Sequence, residues 1–154
     1  MRKKHILVMD VDDEFGVLTR ITGRIRREGL NIAALSVAQT AVPGVSRMTI
    51  RVEMQGISLE QVVERLSRFD CVRTIQVCQA QTHLVRELAL ISCKADSPLC
   101  KKEKTVSRTA GRVCFEKTGT PEELDRYLQD NLGEILEFSR SGAITLQQGG
   151  TDDE

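Results

Sequence analysis

The residues best suited to holding a ligand lie early in the chain. Glu14-Phe15-Gly16-Val17-Leu18 follows an apolar run, and Gly29-Leu30-Asn31-Ile32 comes one helix further on. A glycine opening a helix leaves backbone N–H groups free to meet an anion, while an asparagine amide both donates and accepts. Together they suit a small molecule carrying a carboxylate and an ammonium group. Taken alone, the same residues fit a plain turn and a plain helix end equally well. Catalysis has less to build on. His5 and His83 are isolated, neither beside a Ser or Cys and Asp arranged as a triad, and no nucleophile–base pair, metal cluster or phosphate-binding glycine loop is evident. The five cysteines, at 71, 78, 93, 100 and 114, are odd in number and lack CxxC spacing. They read as reduced thiols, which points to the cytoplasm.

Bulk composition narrows the partners. Twenty-two basic residues balance twenty-two acidic ones, so the chain lacks the electrostatic footprint of a general nucleic-acid binder. Arg24-Ile25-Arg26-Arg27 reads as a solvated helix face, and Lys101 to Lys104 as a charged loop. Aromatic residues make up 3% of the chain, and positions 5–11 and 46–53 offer no ring for base stacking besides His5. No apolar run approaches the ~20 residues of a membrane span. The basic Met1-Arg2-Lys3-Lys4 leads into a stretch bearing Asp10, Asp12 and Asp13, so no signal peptide is expected.

The elements that position these residues follow from periodicity. Residues 5–11 predict a strand, with Asp12 or Asp13 placed to cap the helix that follows. Val17, Leu18, Ile21 and Ile25 give that helix one apolar face, Gly29 ends it, and 31–39 predict a second strand. Alternation over Ser46–Glu53 predicts a third, packed through Met48, Ile50 and Val52. Ser58 and Gln61 start a second helix with the spacing of a capping box, and 71–78 predict the closing strand. The order β-α-β-β-α-β in about eighty residues predicts a ferredoxin-like α+β fold.

Beyond a polar linker at 79–82, a second series begins with a strand through Leu84, Leu88, Leu90 and Ile91. Between Ser92 and Arg112 the pattern fails, leaving either a short helix opened by Ser97-Pro98 or a mobile charged loop. Val113–Lys117 predicts a strand and Thr120-Pro121-Glu122-Glu123 a helix start. Leu124, Leu128 and Leu132 form its stripe up to Gly133, and 134–139 and 143–147 predict a final strand pair. The expected division is 1–80, then 81–150 truncated around 92–112, then a disordered tail at 151–154.

The first half resembles an ACT domain, and its motifs narrow the match. Asp13-Glu14-Phe15-Gly16-Val17-Leu18, Gly29-Leu30-Asn31-Ile32 and Ser46-Arg47-Met48-Thr49-Ile50 resemble the regulatory (small) subunit of acetolactate synthase in order and spacing. So do Val85-Arg86-Glu87-Leu88, Thr118-Gly119-Thr120-Pro121-Glu122 and Arg140-Ser141-Gly142. The resemblance implies a homodimer, paired through its ACT domains, that performs no chemistry itself. It further implies activation of a separate catalytic subunit carrying thiamine diphosphate, Mg and FAD, with feedback inhibition by valine in branched-chain amino-acid biosynthesis. Carried onto this chain, the effector residues are Asp13, Gly16, Val17, Leu18, Asn31 and Ile32. A β-carbon at 16 is expected to obstruct the ligand carboxylate, and Ile32 to touch an isopropyl group. Two departures stand out. Phe15 replaces a smaller residue or proline and is expected to narrow the pocket, and Ser92–Arg112 is too short and basic for the family's helix and strand. The second departure keeps an alternative open, a free-standing amino-acid sensor acting on another protein.

Overall fold

Period-two alternation in the strands and 3.6-residue periodicity in the helices produce the first unit. The computed structural model describes residues 3–148. Its elements are β1 (Lys3–Asp12), α1 (Val17–Arg27), β2 (Asn31–Gln39), β3 (Val45–Met54), α2 (Leu59–Ser67) and β4 (Val72–Val77). The sheet is antiparallel with strand order β2-β3-β1-β4. Leu7, Met9 and Val11 of β1 and Met48, Ile50 and Val52 of β3 meet Ile21 and Ile25 of α1 and Val62 and Leu66 of α2 in one buried core. Gly29, at φ +75°, ends α1, and the Leu30 amide reaches back to the Ile25 carbonyl at 3.3 Å. At the start of α2, Ser58 Oγ accepts from the Gln61 amide at 3.2 Å, as the sequence predicts.

The second unit repeats the plan: β5 (His83–Lys94), α3 (Leu99–Lys102), β6 (Thr105–Thr109), β7 (Arg112–Gly119), α4 (Pro121–Asp130) and β8 (Ile135–Arg140). Its strand order, β6-β7-β5-β8, is the first unit's order over again. The expected truncation around 92–112 is therefore corrected. The helix and the strand are both present, the helix reduced to a single turn. A second correction concerns α4, which ends at Asp130, so Leu132 is exposed and does not extend the stripe. Ala89, Ile91, Cys93, Val113, Phe115, Leu124 and Leu128 form this unit's core.

The boundary also differs from the expected one. One compact unit runs to Leu84 and takes back the chain from Thr145, while the other is Val85–Ile144. The last strand, β9 (Ile144–Gln147), pairs with β5, and the Gln148 amide donates to the Thr82 carbonyl at 2.8 Å. That bond ties the returning segment to the chain leaving β4. The expected disorder at 151–154 lies outside the described residues. Among the described residues, no helix is long and apolar enough to cross a membrane.

Candidate effector site

Gly16 is the N-cap of α1 and sits at φ +85°, a left-handed conformation costing an L-residue ~1–2 kcal/mol. A β-carbon there would meet nothing within 4 Å in this chain. Within the chain itself the demand for glycine is thus conformational. The Val17 amide is bonded to the Glu14 carbonyl at 3.3 Å, and Arg20 N takes the Gly16 carbonyl at 3.0 Å. By helix geometry the Leu18 and Thr19 amides have no intrahelical acceptor.

No side chain caps this helix end and no carboxylate lies in its first turn. The expected capping by Asp12 or Asp13 does not occur, because tertiary partners hold both groups: Asp12 accepts from Arg73 Nε at 2.7 Å and Asp13 from Gln39 Nε2 at 2.8 Å. Arg20, one turn into the helix, is also engaged. It lies 2.7 Å from Asp70, and its guanidinium holds that carboxyl below its usual range. An anion at the turn would therefore meet main-chain N–H groups and the positive end of the helix dipole.

Strand register separates the six predicted residues into two groups. Ser46 of β3 opposes both Val11 and Gln39, so the Asp13–Leu18 turn shares one end of the sheet with the end of β2. Glu53 opposes both Lys4 and Asn31, which puts Asn31 at the other end. The groups lie apart by the length of α1, ~16 Å for its 11 residues. Asn31 is exposed, its Nδ2 at 3.5 Å from Glu53 Oε2. Val17 is buried in the core and Ile32 packs against it, so these two offer their backbone more than their side chains. Phe15, beside the turn, is fully exposed.

The comparisons agree with this architecture. Residues 7–74 match the AHAS small subunit-like ACT domain family. The acetolactate synthase small subunit of Mycolicibacterium smegmatis is 33% identical over 94% of this chain and 91% of that protein. Its counterpart in Buchnera aphidicola is 31% identical, covering 95% and 99%. The chain belongs to the acetolactate synthase small-subunit family. The crystal structure of the acetolactate synthase small subunit from Thermotoga maritima shares the fold over 97% of this chain, with a TM-score of 0.83 at 19% identity.

In this small-subunit chain the second-half motifs converge on one structural cluster. The Arg140 guanidinium makes two 2.8 Å bonds to Glu87, a third to the Pro121 carbonyl at 3.3 Å, and pairs with Asp125. Leu88 N donates to Ser141 Oγ at 3.1 Å, and Ser141 N returns a bond to the Leu88 carbonyl. Those motifs brace β5, α4 and β8.

One feature had no sequence signal. Val8, Asp10, Arg47, Thr74, Gln76, His83, Thr145 and Gln147 line a polar cavity of about 170 Å³. Arg47 chelates Asp10 at 2.7 and 3.0 Å, and His83 Nε2 lies 3.2 Å from Gln76 Oε1. The contributors span most of the chain, so no local pattern announces them.

Proposed function

We propose that this chain is the regulatory subunit of an acetolactate synthase and binds a branched-chain amino acid, valine first, between two copies of itself. The observation carrying the reading is the placement of the Gly16 turn and Asn31 at opposite ends of α1. No single amino acid reaches both within one chain. Side-by-side pairing of two copies across the α1 and β2 edge, antiparallel about a two-fold axis, would set the turn of one beside Asn31 of the other. β2 is an edge strand with unpaired backbone groups, which suits that pairing. The ligand carboxylate would take the amides near Leu18 and its ammonium the Asn31 oxygen.

The chemistry then belongs to a separate catalytic subunit carrying thiamine diphosphate, Mg and FAD. Valine would act by favouring one state of the holoenzyme, with a coupling on the order of 1–3 kcal/mol.

Mixing two variants tests the two-chain site. Gly16→Asp and Asn31→Ala homodimers should each bind valine at least ~10-fold more weakly in calorimetry. Refolding the two together should restore one intact site per heterodimer, since each chain supplies the half the other lacks. No recovery in a verified heterodimer would sink the proposal.

A further inference from the structure

The cysteines that the effector site leaves unused are not all solitary. Cys93 Sγ of β5 lies 3.3 Å from Cys100 Sγ of α3, closer than two sulfurs rest without interacting. Both are free thiols, Cys93 buried and Cys100 half-buried. Backbone carbonyls orient them: Cys100 Sγ donates to the Lys94 carbonyl at 3.3 Å, and Cys93 Sγ to the Val113 carbonyl at 3.7 Å. Cys114 lies one strand away, but its register partner is Ser92, whereas Cys93 opposes Val113. It therefore belongs to the other face of the sheet.

The surroundings also favour one class of reagent. Exposed Lys94, Lys101 and Lys102 flank the pair in sequence against the single exposed acid Asp96, so the net local charge draws an anionic oxidant towards it. We infer that Cys93 and Cys100 form an oxidation site, closed into an intrachain disulfide by a small anionic disulfide such as oxidised glutathione. Cys100, on losing its proton, attacks one sulfur of the reagent as a thiolate, giving a mixed disulfide and releasing one glutathione thiolate, which takes up that proton. Cys93, on losing its proton, attacks Cys100 Sγ and expels the second glutathione thiolate, which takes up the proton. Two protein thiols are oxidised and one glutathione disulfide is reduced to two glutathiones, so the exchange balances. Burial pushes the Cys93 thiol up to about 11, which leaves Cys100 the first to react and Cys93 the resolving partner.

Closure would add a covalent clip to a single-turn helix otherwise held through Leu99 and the Ser97 bonds. α3 is four residues long and buries only Leu99. The test is incubation of the full chain with oxidised glutathione, followed by intact mass, thiol titration in denaturant and peptide mapping. The expected product has lost the mass of two hydrogens and a pair of its five thiols, with the 93 and 100 peptides joined. Cys100→Ser should abolish that product and Cys114→Ser should leave it. A stable glutathione adduct on Cys100, a disulfide joining any other pair, or five unreacted thiols would each overturn the inference. The wild-type chain supplies these readouts, so the test holds whether or not a Cys93 variant folds.

Discussion

The two βαββαβ units part company at the turn entering the first helix of each. In the first unit Gly16 opens an 11-residue helix whose leading amides no side chain caps, with Asp12 and Asp13 held by Arg73 and Gln39. In the second, Ser97-Pro98 opens a four-residue helix at the same topological position. There Ser97 Oγ accepts from the Leu99 amide at 3.3 Å and donates to Glu134 at 2.8 Å. Pro98 has no amide to offer at all. A duplicated fold thus carries one helix start open to an anion and one already satisfied. Whether the leading amides stay open is decided by a handful of turn residues, not by the strand order the units share.

The most disruptive way to break this comparison is to hollow out the second core. Phe115→Ala should cost ~3–5 kcal/mol in denaturant unfolding, as deletion of a buried ring does. Valine binding should survive if it belongs to the first unit, and its loss would show that the second unit supplies part of the site. Next in size, Gly16→Ala should cost ~1–2 kcal/mol through its positive φ alone, with no clash to relieve. An unchanged melting temperature would mean the turn relaxes to another conformation.

A smaller pair of substitutions contrasts the capped and uncapped helices. Thr120 accepts from the Glu123 amide while Glu123 bonds back to the Thr120 amide, so Thr120→Ala should cost ~1 kcal/mol. Asp13→Ala should fall within ~0.5 kcal/mol, because its carboxylate caps nothing. Equal losses would restore Asp13 as a cap. Smallest is a pH effect confined to the second unit. Tyr127, the only tyrosine in the chain, is held above the ordinary phenol range, first by burial and then by its 3.0 Å bond to Glu103. The folded state keeps that proton more tightly than the unfolded one. Its contribution is complete below the unfolded value near ~10 and is lost as pH rises towards the folded value. Alkaline absorbance titration should show the phenol ionising only above the ordinary range, and ionisation near ~10 in folded protein would contradict it.

How much of the molecule is legible in its sequence depends on what each element buries. The first unit's strands and helices announce themselves because each turns a regular apolar row to the core. β6 cannot be read that way: all five of its residues are exposed, so it presents no alternation. α3 is too short to show a stripe. The family motifs locate the candidate effector residues but hide their separation, which only the register of β3 against both its neighbours reveals. Asp12 and Asp13 mislead for a different reason. A carboxylate just before a helix is a local capping signal, and here Arg73 and Gln39, distant in sequence, override it.

The return of Thr145 to the first unit has a consequence for how the molecule is made. During synthesis the second unit emerges as a continuous stretch and can fold while the first still lacks its returning segment from Thr145. The four-stranded sheet and its two helices are complete once Val77 has emerged, and only the Thr82 carbonyl stays short of its partner until Gln148 leaves the ribosome. The polar cavity, which needs Thr145 and Gln147 for its wall, is therefore the last part of the described protein to exist.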